Sequence, residues 1–184
     1  DSSSSFSNNT ISNNSCSNSN YTPGIYINNA YGDPSFSFKN NLITGNFSPS
    51  SGDSSSRTIY INNVTAILNV DFSGNTIQDN QTSYDLYMDM SSGNTLKFEN
   101  NYWGTADKAT ILTRIFDFFD SPSKGIVDFE PYLETPSAGI PPMAPLGLTA
   151  QATTKISLSW NASPSASATG CLVYYDQDGE FPYD

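Results

Sequence analysis

The stretch Phe72-Ser73-Gly74-Asn75-Thr76-Ile77 decides the fold, because the chain writes it four times. The other copies are Phe6-Ser-Asn-Asn9-Thr-Ile11, Phe38-Lys-Asn-Asn41-Leu-Ile43 and Phe98-Glu-Asn-Asn101-Tyr-Trp103. Each reads Phe, two variable residues, Asn, one variable residue and a large apolar residue. The Asn positions are 32, 34 and 26 residues apart. The first three copies extend to a further Asn, at Asn14, Asn46 and Asn80. A second strand precedes three copies: Ile25-Tyr26-Ile27, Ile59-Tyr60-Ile61 and Leu86-Tyr87-Met88.

Inside these strands the apolar period is two. Ile25 with Ile27, Ile59 with Ile61 and Leu86 with Met88 share one face; Phe36 with Phe38, Val70 with Phe72 and Leu96 with Phe98 share another. Such alternation predicts half-buried strands. No single repeat of this length can bury its apolar face, so the coils must stack into a solenoid of parallel strands. Asn9, Asn41, Asn75 and Asn101 are then a structural ladder. Their amides pass hydrogen bonds from coil to coil, and Asn tolerates the left-handed backbone of a sharp corner.

The run Asn100-Asn101-Tyr102-Trp103-Gly104-Thr105, after Asn-rich repeats, resembles the end of a right-handed parallel β-helix of the pectin-lyase-like kind. In that family the run leads into a short helix with spaced Ile and Asp, then a strand of the form Gly-x-Val-x-Phe-x-Pro-x-Leu. This chain has Ile111, Ile115 and Asp117, then Gly125-Ile-Val127-Asp-Phe129-Glu-Pro131-Tyr-Leu133. The resemblance implies an all-β fold: a β-helix over residues 1–135 with a short C-terminal capping helix. Apolar residues at 111, 112, 115, 116 and 119 place that helix within Lys108–Phe119.

Residues 136–145 are rich in Pro and read as an extended linker. Beyond them, Leu146-Gly-Leu148, Ile156-Ser-Leu158-Ser-Trp160 and Cys171-Leu-Val173-Tyr-Tyr175 resemble the first strands of a fibronectin type III domain. That implies a partial β-sandwich over 146–184, with Val173 and Tyr175 in a third strand. The later strands of a sandwich are missing, which reads as truncation.

Composition narrows the function. The chain has 184 residues, with 7 Lys+Arg against 18 Asp+Glu, no His and a net charge of −11. So acidic a chain is a poor nucleic-acid binder. Without His there is no Ser-His-Asp catalysis and no His-ligated zinc. No apolar run is long enough for a membrane span. The 29 Ser and 20 Asn with 13% aromatics suit turns and strands rather than disorder. The low-complexity start, without Met or signal peptide, reads as an excised piece of a longer protein. Cys16 and Cys171 fall in different expected domains and read as separate thiols. Seven Asn-x-Ser/Thr sequons, among them Asn46-Phe-Ser48 and Asn63-Val-Thr65, are what this composition gives by chance.

Candidate chemistry is sparse. Asp176-Gln-Asp178-Gly179-Glu180 has the start of a calcium loop but reads better as a turn, so no cofactor is expected, with calcium the one candidate. Asp85 and Asp89 share a face about 13 Å apart, too far for a glycosidase pair. Asp71 and Glu99 lie about 6–8 Å apart on adjacent coils, where Lys97 and Lys39 make a charge ladder the simpler reading. Lyases of the resembled family use Arg or Lys beside calcium-binding acids, whereas Arg57 and Lys97 here stand isolated. Its polygalacturonases use paired Asp and a His, and His is absent.

The remaining candidate is a surface. With Ile25 and Ile27 inside, Tyr26 faces out, and the same parity puts Tyr60 and Tyr87 outside. Asn28, Asn62 and Asp89 follow as a polar row, together a platform for carbohydrate. The expectation is a non-catalytic piece of a large secreted or cell-surface bacterial protein. Its β-helix would be a stalk or a scaffold binding a polysaccharide or surface glycan, with a fibronectin-like spacer. The alternatives are the end of a polysaccharide lyase or glycoside hydrolase whose active site lies upstream, and an adhesin with a protein ligand.

Overall fold

A computed structural model describes residues 3–17, 22–28, 35–49, 56–62, 69–152, 155–163, 165 and 168–173. The chain divides into two compact units, Asp1–Pro141 and Pro142–Asp184. The first is a parallel β-solenoid of about three turns.

Three sheets run along it. The first stacks β1 (Ser3–Ser7), β4 (Ser35–Lys39) and β7 (Asn69–Ser73); the second stacks β2 (Thr10–Ser12), β5 (Leu42–Thr44) and β8 (Thr76–Gln78). The third stacks β3 (Ile25–Asn28), β6 (Arg57–Asn62), β9 (Tyr84–Asp89) and β11 (Ile115–Phe116). Beside β7 lies β10 (Thr95–Lys97), which pairs in parallel with β12 (Ile126–Asp128). Register places like on like: Phe6, Phe38 and Phe72; Ile11, Ile43 and Ile77; Ile27, Ile61 and Met88. The phenylalanine rings follow at centroid separations of 4.9, 5.4 and 4.7 Å from Phe6 to Phe98, so the repeat aligns as expected. Phe72, Phe98, Ile59 and Leu86 are almost fully enclosed.

Asparagine holds the corners, in two rows. In the expected one, the amides of Asn9, Asn41 and Asn75 donate to the carbonyl oxygens of Asn41, Asn75 and Asn101 at 3.1, 2.9 and 3.0 Å. Each backbone N–H donates to the same oxygen, at 2.9 Å in all three steps. A second row links Asn14 to Asn46 and Asn46 to Asn80, both at 3.0 Å. One part of the corner reading needs correction. The left-handed residue stands one place before each ladder Asn: Asn8 (φ 57°), Asn40 (54°), Gly74 (69°) and Asn100 (60°). Asn13, Gly45 and Asp79 do the same before the second row. The turn and the ladder are thus separate tasks of adjacent residues.

The capping helix is shorter than its apolar spacing predicts. α1 spans only Lys108–Thr113, with Asp107 as N-cap accepting from Thr110 N–H at 3.0 Å. Arg114 ends it, and Ile115 instead falls into register with Leu86 as the next rung of the third sheet. Pairing with the β9 edge satisfies backbone groups that a longer helix would leave open there. The Asp117 carboxylate then turns the chain, accepting from Phe119 N–H and Val127 N–H at 2.9 Å each. Ser137 N–H donates to Thr76 Oγ1 at 3.0 Å and Ile140 is buried, both within the first unit.

The second unit contains an antiparallel hairpin of β13 (Leu146–Ala152) and β14 (Ile156–Asn161), irregular between Leu146 and Thr149, where Gly147 has φ 65°. Ile156, Leu158 and Trp160 are all exposed. Val173, expected in a third strand, is in no strand, and Tyr175 lies outside the described residues. The thiols of Cys16 and Cys171 are free.

Candidate functional site

The outer face of the third sheet carries a column of aromatic rings. Tyr26, Tyr60, Tyr87 and Phe116 are in register on four successive strands. Tyr26 stacks on Tyr60 at 5.2 Å and 9°. Tyr60 meets Tyr87 edge-on at 5.7 Å and 75°. Tyr87 stacks on Phe116 at 4.2 Å and 7°, and Tyr84 packs its edge against both. Arg57, expected to stand isolated, lies over this column instead: its guanidinium carbon is 3.8 Å from the Tyr60 centroid and 5.3 Å from that of Tyr87. Strict alternation misses this, because residues 57 and 60, and 84 and 87, meet on one face while Thr58 and Asp85 are buried.

The polar row runs beside the rings. Asn28, Asn62 and Asp89 are in register. The Asn62 amide donates to Tyr26 Oη at 3.3 Å and to Asn28 Oδ1 at 3.4 Å. Tyr60 O–H donates to Asp89 Oδ2 at 2.6 Å, and Lys124 Nζ donates to Asp89 Oδ1. Burial works to raise the Asp89 pKa, but Lys124 and Tyr60 outweigh it and hold the carboxyl below the usual range. Burial and the Asp89 carboxylate push the Tyr60 phenol well up, and burial raises Tyr87. The row is open at the Tyr26 end, where the tyrosine is 53% exposed, and internally paired at the Asp89 end.

The other charged candidates are engaged elsewhere. Asp85 does not share the outer face with Asp89. It is buried and held by Arg114 Nε and Nη2 at 3.1 and 3.0 Å, and Asn80 of the second ladder donates to it at 3.3 Å. Burial pushes its pKa up while Arg114 pulls the other way. Asp71 pairs with Lys39 at 2.6 Å; burial opposes that pull only in part, so its pKa is lowered. Lys97 reaches Glu99 at 3.4 Å and so is not isolated. Asn46 and Asn80, both in sequons, are buried ladder members. The Asp176–Glu180 loop lies outside the described residues. Among the described residues no group of three or more His, Cys, Asp or Glu could hold a metal ion, and no helix is long and apolar enough to cross a membrane.

No family model, curated protein or solved structure matches the chain.

The chemistry of the strip therefore rests on its own side chains. Lys124, Phe116, Tyr84 and Arg57 belong to it in addition to the six residues expected from sequence. Arg57 and Tyr84 lie three residues from Tyr60 and Tyr87, a spacing that strict alternation assigns to the opposite face, so period two gave no signal for them. Lys124 sits 35 residues from Asp89 and carried none.

Proposed function

We propose that the chain is a non-catalytic part of a secreted or surface-attached protein, in which the β-solenoid is a stalk and the strip along its third sheet binds polysaccharide. The observation that carries this reading is the uninterrupted column Tyr26–Tyr60–Tyr87–Phe116 with the parallel row Asn28–Asn62–Asp89 beside it. An apolar band flanked by hydrogen-bonding groups matches an extended sugar chain, which is apolar on its ring faces and polar at its edges. The resemblance of residues 100–133 to right-handed pectin-lyase-like β-helices, and of 146–160 to a fibronectin type III spacer, is consistent with a surface protein.

The charged side chains of the solenoid support a binding rather than a catalytic role. Asp71, Asp85 and Asp89 each sit in an ion pair with Lys39, Arg114 and Lys124. A general acid needs a proton near neutral pH; Asp71 and Asp89 are shifted the other way, and Asp85, which burial shifts up, is enclosed and bonded to Arg114 and Asn80. The test is affinity sedimentation of the full chain with insoluble polysaccharides, backed by a glycan array. Retention on at least one glycan, competed by the soluble form of that glycan, is the expected result. A chain that binds none of them has a purely structural column.

A further inference from the structure

We infer that sugar recognition is confined to the open end of the strip, where Tyr26, Asn28 and Asn62 form a subsite for a neutral pyranose. Tyr60 and Tyr87 instead serve as its internal support. This rests on the polysaccharide reading above and narrows it to three residues and one ligand class.

Ring geometry separates the three tyrosines. A sugar needs an uncovered aromatic face. Tyr60 has Tyr26 stacked at 5.2 Å, the Arg57 guanidinium 3.8 Å from its centroid and Tyr87 at its side. Tyr87 has Phe116 stacked at 4.2 Å and the edges of Tyr60 and Tyr84 against it. Tyr26 has one ring partner, Tyr60, so among the described residues its second face meets no ring or cation. It is also the most exposed of the three.

Hydrogen-bonding capacity divides along the same line. Both oxygens of Asp89 are taken, by Lys124 and Tyr60. At the other end, the Tyr26 hydroxyl accepts from Asn62 and keeps its own proton to donate. Asn28 accepts through Oδ1, and among the described residues its two amide protons have no acceptor. Asn62 donates twice and its Oδ1 meets no donor there. The open end therefore offers donors from Tyr26 and Asn28 and an acceptor from Asn62, within one strand spacing of about 4.8 Å. A pair of neighbouring sugar hydroxyls, each both donor and acceptor, satisfies such a set.

Charge fixes the class. Tyr26, Asn28 and Asn62 carry no formal charge, and the chain as a whole is at −11. A polyanionic uronate would find no cation at this subsite and a repulsive field around it. A neutral glycan meets neither obstacle.

The experiment is titration calorimetry of the full chain with cellohexaose, xylohexaose, mannohexaose and, as the anionic comparator, hexagalacturonate. Wild type, Tyr26→Ala, Asn62→Ala and Tyr87→Ala are compared, each with its melting temperature. Binding of a neutral hexasaccharide that falls about tenfold or more in Tyr26→Ala, without loss of melting temperature, is the expected result. Asn62→Ala should weaken binding less. Tyr87→Ala should lower the melting temperature, and a loss of affinity in its folded fraction as large as that of Tyr26→Ala overturns the confinement to the open end. Neutral-sugar binding undiminished in Tyr26→Ala, or tighter binding of hexagalacturonate, overturns this inference and leaves the polysaccharide reading intact. A wild-type chain that binds neither these sugars nor any glycan on the array overturns both.

Discussion

Arg114 holds the buried carboxylate of Asp85 in a fork, Nε to one oxygen at 3.1 Å and Nη2 to the other at 3.0 Å. The same guanidinium donates to the backbone carbonyls of Asn80 at 3.1 Å and Ser83 at 3.2 Å, and to that of Thr82. One side chain thus closes the end of the second asparagine row, where Asn80 donates to Asp85. Planar, bidentate geometry is what distinguishes Arg from Lys in such a place.

Arg114→Met should therefore be costly, leaving a buried carboxylate without its partner and three carbonyls without a donor. Breaking a buried pair costs about 3–5 kcal/mol, and the partial exposure of Arg114 points to the lower end. Urea unfolding followed by far-ultraviolet circular dichroism measures it. A loss below about 1 kcal/mol would show that the end of the row closes without this pair.

The phenylalanine column should respond according to depth. Phe72 is 1% exposed with rings on both sides, so Phe72→Ala should cost about 3–5 kcal/mol. Phe6, 47% exposed at the end of the column, should cost about 1 kcal/mol or less on truncation. Equal losses at the two sites, measured by denaturant midpoints, would contradict the stacking order.

Gly74→Ala tests the corner assignment. At φ 69° a side chain is strained, and a Cβ there would lie 2.4 Å from Asn40 Oδ1. The expected loss is about 1–3 kcal/mol. Asn100→Gly, at the same corner position one coil on, should stay within about 0.5 kcal/mol of wild type, because glycine accepts φ 60° freely. Comparing the two melting transitions checks the pair.

Acid should weaken the fold through Asp89 and Asp71. Both carboxyls titrate below their ordinary value in the folded chain, whereas an unfolded Asp titrates near about 3.9. A carboxyl lowered by folding contributes its stabilisation in full above the unfolded value and loses it as the pH falls through the folded one. The share of the urea midpoint that Asp89 and Asp71 supply should hold between about pH 5 and 7 and be lost below about pH 4, while Asp85, raised by burial, works in the opposite direction as the pH rises. Asp89→Asn should lower the midpoint at neutral pH and shallow the acid slope. An unchanged slope would show that the Lys124 and Tyr60 bonds contribute nothing to stability. The exposed Lys39–Asp71 pair contributes less.

The solenoid was legible because its signals recur. Phe-x-x-Asn-x-apolar places one ring, one ladder amide and one core residue per coil, so four copies determine the stacking and the register together. The second row was written equally clearly in Asn14, Asn46 and Asn80, and only its role went unread. Other features lacked such repetition. Arg114 pairs with a residue 29 positions away, a distance no periodicity reports. The end of α1 depends on β9 offering an edge to Ile115, which is a tertiary event. Arg57 reaches Tyr60 because alternation breaks at the start of β6, an irregularity that a period-two reading passes over.

The paired asparagine rows also set how the molecule answers to force. The first three coils are joined to one another by amide couplings at two different corners, and the third is joined to the next by the Asn75–Asn101 coupling. A pull on the chain must therefore detach whole coils one after another, the first two steps held by two couplings and the last by one. The amide spacings of 32, 34 and 26 residues translate, at about 3.5 Å per extended residue, into rupture steps of about 90–120 Å of released contour. Such a filament yields in a staircase and takes up load repeatedly before it is fully drawn out.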